Sequence, residues 1–191
     1  MQVILDPNER WESEDAAAER LEGLATVGNV LCVEDPIPRS QLDGYGRLRK
    51  SFAVKIALHV SLPYQEHGQR VGDALDAVVA GAVDGFNFNG SVSEFAQLDS
   101  IASAAGLPSW HGSELDLGVL EALYVHSSAA ARSAVWPSDI FGRLIREHDL
   151  LASPLRIEPP YAYLPEGPGL GVELDLAAVE RFARRVNVYE A

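Results

Sequence analysis

Five polar side chains stand at the ends of apolar, strand-like runs in this sequence: Asp6, Glu34, His59, Asn89 and His111. Asp6 and Glu34 are 28 positions apart, about one strand–helix repeat, so their carboxylates can come from adjacent strands and face each other. Two carboxylates that close repel unless a cation lies between them, and oxygen ligands with partial hydration suit Mg²⁺. The pattern indicates a divalent-metal site. The alternative for any single acid is a solvated strand end or a helix cap.

The runs that carry these residues alternate with helical patterns. Strands are predicted at QVILDP, NVLCVEDP, VKIALHVSLP, VDGFNFNG and LPSWHG, and SAVWP is a candidate sixth strand. Between them apolar residues recur at helical spacing, with Ser13 and Ser93 as candidate N-caps and Gly106 as a candidate helix end. This alternation predicts right-handed βαβ units on a parallel sheet that is buried on both faces.

Two architectures fit such a pattern, an open doubly wound sheet and a (β/α)₈ barrel. A dinucleotide-binding sheet would carry G-x-G-x-x-G in its first turn, where this chain has DPNERW. The polar strand tips favour the barrel, because strand ends converge there on one mouth. We therefore predict an α/β fold: a partial TIM barrel of about six βα units over residues 1–152. An irregular Pro/Gly-rich arm follows over residues 153–191, ending in a helix that begins at Asp175.

Composition limits the classes of partner. The chain has 191 residues, 47% of them hydrophobic, and a formal net charge of −13. That charge argues against nucleic acid and against an anionic membrane surface, since both need clustered Lys and Arg. No run approaches the roughly 20 apolar residues of a membrane span, and the N-terminus lacks the pattern of a signal peptide. A single cysteine, Cys32, excludes a disulfide framework within the chain and predicts a cytoplasmic location.

Five motifs in order resemble the C-terminal barrel of the enolase superfamily, in its mandelate racemase and muconate-lactonizing branch. LDPNERW is similar to the Asp-x-Asn strand end of that branch, VEDPIP to its Glu-Asp-Pro signature, and KIALHVSL to its third-ligand strand. AGLPSWHGSELDLG resembles the region of its seventh-strand histidine, and YAYLPEGPGLGVELD its near-terminal Pro-Gly-Leu-Gly turn. The resemblance covers most of the chain and implies a barrel fold.

The resemblance also implies a chemistry. Active members bind one Mg²⁺ through three strand-end acids and abstract the proton alpha to a carboxylate, while the metal stabilises the enolate. Asp6 and Glu34 match the first two ligands. The third position falls on Val60, which coordinates nothing, and His59 beside it would need a bulge or register shift to replace it.

Further site residues follow from the same alignment. His111 matches the seventh-strand base, and Asn89 stands where the branch carries a catalytic Asp or Lys, although an amide cannot accept a proton near neutral pH. Asn8 and Asp139 match positions that contact substrate. The resemblance thus implies a small carboxylate substrate.

The matched segment begins at what would be the third barrel strand, and the capping domain and a second-strand Lys have no counterpart. The expected assembly is a homo-oligomer or a complex with a completing chain, because an open arc exposes strand edges. We predict a truncated or degenerate member, which if active is a Mg-dependent lyase (a sugar-acid dehydratase) or a racemase or epimerase. The alternative is an inactive pseudoenzyme or barrel-completing subunit that binds a partner or carboxylate ligand.

Overall fold

The computed structural model describes residues 2–60, 70–113 and 115–185. The chain divides into two compact units. The first comprises Met1–Gly112 and Ala131–Ser138, and the second comprises Ser113–Ala130 and Asp139–Ala191. The predicted boundary between residues 152 and 153 stays a prediction.

The first unit is an arc of parallel strands in sequence order, as the alternating pattern predicts. Its strands are β1 (Val3–Leu5), β2 (Val30–Glu34), β3 (Lys55–Val60), β4 (Gly85–Phe88) and β5 (Ser109–His111). Its helices are α1 (Glu14–Leu24), α2 (Leu42–Ser51), α3 (Arg70–Val79) and α4 (Val92–Ala105). The described sheet has five strands where about six were predicted: in the SAVWP segment only Ala134 forms a single parallel bridge, to Ser109.

The two faces of the sheet follow the period of two along each strand. One set of strand side chains packs with helices α1 to α4 in the main core, which includes Val33, Leu58, Val60 and Phe88. The other set forms a smaller cluster around Cys32, Ala57 and Trp110 on the concave, inner face. A residue's position in this alternation therefore decides whether its side chain reaches the inner face.

Local capping fixes where the helices begin and end. Ser13 caps α1 as predicted, and Gly106 ends α4 in the left-handed conformation that favours glycine. The cap of α4 is Ser91 and not the predicted Ser93. Ser91 accepts from the backbone N–H of Glu94, whose side chain bonds back to the Ser91 backbone, a reciprocal pair that Ser93 cannot form from its place inside the helix.

The second unit contains α5 (Gly118–Ala130), a short 3₁₀ turn at Gly142–Leu144, an antiparallel hairpin and a final helix. The hairpin strands are β6 (Ile157–Glu158) and β7 (Tyr161–Ala162), and the helix is α6 (Leu176–Phe182). Asp175 caps α6, which confirms the predicted start of the last helix. The helix was expected to run to Val186, but it ends at Phe182, with Ala183 as its C-cap in an extended conformation. Val186 itself, and the predicted continuation of the third strand over residues 61–63, lie outside the described residues. Over the described part of the chain, no helix is both long and apolar enough to cross a membrane.

Candidate metal centre

Glu34 lies at the centre of a buried polar cluster at the carboxyl end of β2. Its side chain is 5% exposed, and its Oε1 lies 3.1 Å from Nδ1 of His59 on β3. The same oxygen accepts a hydrogen bond of 2.8 Å from the side-chain Nδ2 of Asn87 on β4. Three adjacent strands thus each contribute one polar side chain to this point.

His59 faces this cluster directly, and Val60 does not. Val60 is packed in the core between sheet and helices, and the pairing of β3 with β4 is regular through both residues. The expectation that His59 needs a bulge or register shift to face the cluster is therefore wrong, whereas the match of the third-ligand position to Val60 stays a prediction. Because neighbouring strand residues face opposite sides, an alignment shifted by one residue exchanges the inner residue for the outer one.

Burial and a neighbouring acid act together on the carboxyl of Glu34. Burial first, and the charge of Asp6 second, raise its pKa to about 8, against the hydrogen bond from Asn87 and the charge of Arg39. Asp6, which follows β1, thus interacts electrostatically with Glu34, and its predicted role as a metal ligand stays a prediction. Both Asp6 oxygens accept from Asn8: Oδ1 from its backbone N–H at 2.8 Å and Oδ2 from its side-chain amide at 2.6 Å. Asn8 thereby orients a candidate ligand.

A second buried acid, Asp35, fixes the loop after β2 and was not among the predicted site residues. Its Oδ1 accepts from the backbone N–H of His59 at 2.9 Å, and its Oδ2 accepts from Arg39. Arg39 also binds the carboxylate of Glu9 at 2.9 Å. Burial raises the pKa of Asp35 to about 7, against the charge of Arg39. The sequence contained a signal for this residue, because in VEDPIP an acid stands between a buried strand and a proline, which is an unusual place for it.

Two asparagines of β4 and its end crowd the backbone of Gly112. A Cβ on Gly112 would lie 2.3 Å from Oδ1 of Asn87 and 2.4 Å from Oδ1 of Asn89. Within the part of the chain that the structure describes, Oδ1 of Asn87 is buried and accepts no hydrogen bond. Asn89 thus lies beside Asn87, which makes the contact with Glu34, and the predicted role of Asn89 stays a prediction. The alternation in FNFN contained this signal, because it places both amides on one face.

Two further predicted residues, His111 and Asp139, make contacts of their own. The ring of His111 stacks on Phe95 of α4 with ring centres 4.4 Å apart, and its Nδ1 lies 2.7 Å from the carbonyl oxygen of Gly112. Asp139 lies in the second unit, where its backbone carbonyl accepts from the Ser113 hydroxyl. Their predicted functional roles stay predictions.

Strand-end acids on an arc of parallel strands are the arrangement that the five sequence motifs implied. The family described as "Enolase C-terminal domain-like" matches residues 1–179. The chain belongs to this family. Membership confirms the resemblance and the partial-barrel architecture that the sequence predicted.

Relatives of this chain include cycloisomerases. Muconate cycloisomerase 1 of Rhodococcus opacus is 29% identical over 191 residues, which is 95% of this chain and 48% of that protein. Chloromuconate cycloisomerase of Cupriavidus pinatubonensis is 29% identical over 184 residues, or 94% of this chain and 47% of that protein. The chain therefore spans about half the length of these relatives.

Solved structures give the same result. Muconate cycloisomerase from Pseudomonas fluorescens superposes with a TM-score of 0.85 at 26% identity, covering 96% of this chain and 50% of that one. Muconate lactonizing enzyme from the same organism, complexed with muconolactone, gives 0.85 at 26% identity, covering 96% and 48%.

The donors present fit a divalent cation but only partly fit the magnesium of the superfamily. One ligand atom each from Glu34, Asp35 and His59 lies within 4.8 Å of the others, and Asp6 adds a carboxylate whose charge reaches Glu34. The carboxylates suit Mg²⁺, whereas the imidazole of His59 replaces an oxygen ligand by nitrogen.

Proposed function

We propose that the carboxyl end of this arc binds a divalent cation and, with it, a small carboxylate ligand. The observation that carries the proposal is the buried contact of Glu34 with His59, beside the charge of Asp6. Asp6 and Glu34 carry charges of the same sign, and Glu34 is almost fully buried. A bound cation would therefore lower the electrostatic energy of the site. In this proposal Asp6, Glu34 and His59 hold the cation, which would stabilise negative charge on a bound carboxylate.

The charge around the neighbouring cleft supports a role for the cation in ligand binding. This cleft, of about 440 Å³, is bordered by His59, Leu58 and Val60. Among the described residues, the charged groups lining it are one cation and three acids: Arg39, Glu9, Asp73 and Asp76. Arg39 is already bound to Asp35 and Glu9. An anionic ligand therefore meets net negative charge, and we expect carboxylate binding to depend on the cation.

The described residues support ligand binding better than proton transfer. Asn87 and Asn89 present amides, which do not accept protons near neutral pH. The predicted base, His111, is buried and stacked on Phe95. We therefore favour the inactive, ligand-binding reading, in which the chain is a degenerate member of the superfamily or a subunit that completes a barrel.

The second candidate is an enzyme of the ancestral type that removes the proton alpha to a carboxylate, with His111 as base. The position of His111 at the last residue of β5 favours this candidate, because the active sites of barrels form at that end. Exchange of the alpha protons of muconolactone with solvent deuterium, followed by NMR, separates the two. Cation-dependent exchange that is lost in His111→Asn supports the enzyme, and exchange at the rate of buffer alone supports the binding protein.

Calorimetric titration tests the proposed function. We expect muconate to bind the wild-type chain in the presence of Mn²⁺, and to bind much more weakly after chelation. Glu34→Gln should abolish Mn²⁺ binding and the cation-dependent binding of muconate. Glu22→Gln, which removes an exposed charge of α1 instead, is the matched control and should leave both unchanged. Equal Mn²⁺ affinity in wild type and Glu34→Gln would overturn the proposal.

A further inference from the structure

The third donor of the cluster is a nitrogen, and this has a consequence for the metal. His59 lies on β3 next to Glu34 with its Nδ1 3.1 Å from Glu34 Oε1, so a cation bound by Glu34 is within reach of the imidazole. The side chain of His59 is only 9% exposed, so the ring has little freedom to turn away. Magnesium prefers oxygen ligands in an octahedron, whereas imidazole suits Mn²⁺, Fe²⁺, Co²⁺ and Zn²⁺.

The orientation of His59 is enforced by the residues around it. Its backbone N–H donates to Oδ1 of Asp35, whose other oxygen is held by Arg39. Both oxygens of Asp35 are thus already engaged, which makes Asp35 a support for His59 and a poorer ligand than Glu34 or Asp6. The preferred metal ligands are then the carboxylates of Glu34 and Asp6 and the imidazole of His59.

The amide of Asn87 on β4 fixes the same oxygen of Glu34 that His59 contacts. Asn87 holds Glu34 through its Nδ2 and has a buried Oδ1 that accepts no hydrogen bond among the described residues. A buried carbonyl oxygen without a donor is energetically unfavourable unless a cation or a ligand proton reaches it. This oxygen lies beside Gly112 while Nδ2 faces Glu34, so the proposed cation donors remain Asp6, Glu34 and His59.

We infer that this chain selects a nitrogen-accepting transition-metal ion, of the class of Mn²⁺, Co²⁺ or Zn²⁺, in place of Mg²⁺, with His59 Nδ1 as a ligand. The inference rests on the proposed function, since it concerns the same site. It goes further by assigning the cation class and the residue that determines it.

A metal series on the wild-type chain and on His59→Asp tests the inference. His59→Asp restores an all-oxygen donor set, so the ratio of Co²⁺ affinity to Mg²⁺ affinity should fall by at least about tenfold, the usual effect of changing a residue that tunes a metal site. His126→Asp, a substitution of the same kind in the second unit, is the control and should leave the ratio unchanged. An unchanged ratio in His59→Asp would overturn the inference.

A spectroscopic measurement on the wild-type chain does not depend on the folding of any variant. Electron spin echo spectra of bound Mn²⁺ should show modulation by a directly coordinated ¹⁴N nucleus. Bound Mn²⁺ without this modulation, or Mg²⁺ that binds as tightly as Co²⁺, refutes the choice of metal and leaves the proposed function standing. Failure of all these ions to bind refutes both.

Discussion

Glu34 is a deeply buried acid, and in the absence of a cation its burial disfavours the charged form of its carboxyl. Burial and the neighbouring charge of Asp6 raise its pKa to about 8. The folded state therefore binds the proton of Glu34 more tightly than the unfolded state does, and this contribution to stability is present below pH 4.5 and lost as pH rises to about 8. The residue stabilises the fold only when protonated or, in our proposal, when bound to a cation.

We expect Glu34→Gln to stabilise the metal-free protein at pH 8 while removing cation binding. Gln keeps an oxygen for the Asn87 amide but carries no charge, so the free energy of unfolding should rise by at least about 1 kcal/mol, because one pKa unit is worth 1.36 kcal/mol. Urea denaturation at pH 5 and pH 8 measures this, and the difference from wild type should be larger at pH 8. A variant that is less stable than wild type at pH 8 would contradict the stated electrostatics.

Some residues of the candidate site were predicted from the sequence and others were missed, and each case has a physical reason. Asp6 and Glu34 were proposed because a βα repeat has a characteristic length. His59 was expected to need a bulge because strand motifs give register only to within a residue, and one residue exchanges the two faces. The stacking of His111 on Phe95 could not be read from SWH, which contains no signal for the face that each residue occupies.

The loops that follow the strands, more than the strands themselves, hold the candidate site together. Arg39 links Asp35 at the end of β2 to Glu9 in the loop after β1, and Asp35 holds the backbone of His59 on β3. The loops also contain three non-glycine residues with positive φ, Asn8, Glu9 and Asp35. The VEDPIP motif pointed to Glu34 as a metal ligand, but the ion pair of Arg39 with Glu9 joins segments that are distant in sequence and was not predictable from either one.

We expect Arg39→Ala to destabilise the protein by about 3–5 kcal/mol, because it leaves the buried charge of Asp35 without its partner. Arg47→Ala is the matched control, since Arg47 pairs with Glu14 at the surface, and it should cost much less. Chemical denaturation of both variants at pH 8 provides the comparison. Equal losses would mean that the Arg39 network does not hold the strand ends.

A substitution at Gly112 tests the contact between β4 and the end of β5. Gly112→Ala would place a methyl group against the amide oxygens of Asn87 and Asn89, so we expect a loss of about 1–3 kcal/mol from overpacking. Displacement of Asn87 from Glu34 should also weaken Mn²⁺ binding, as measured by calorimetry.

Gly28→Ala is the control for this variant, because a Cβ at Gly28 would meet no atom within 4 Å. It should change neither the free energy of unfolding nor the affinity for Mn²⁺. Full Mn²⁺ affinity in Gly112→Ala would show that the Asn87 contact is not needed for the site.

The whole chain corresponds to about half of a cycloisomerase of the superfamily. Among the described strands, β1 has a hydrogen-bonded neighbour on one side only, β2. An open groove lies along this edge, lined mainly by Leu5, Trp11 and Leu24. The family and the parallel order were predictable from motif order, whereas what covers the open edge is not encoded in any motif of the sequence.

An uncovered strand edge with an apolar groove favours association, so we expect the chain to assemble with itself or with a completing chain. Light scattering of the purified chain should give a mass at least twice its own 20.6 kDa. Leu24→Glu, which places a charge in the groove, should lower the measured mass, whereas Val79→Glu at an exposed position of α3 should not. A stable monomer of 20.6 kDa would contradict this expectation.

Anomalous X-ray scattering at the manganese edge, from crystals soaked in Mn²⁺, tests the central claim most directly. The account predicts a peak at coordination distance, about 2.0–2.3 Å, from a Glu34 carboxylate oxygen and from Nδ1 of His59, with the Asp6 carboxylate facing it. A peak only at other acids, or none at saturating Mn²⁺, would contradict the claim that these strand ends form a cation site.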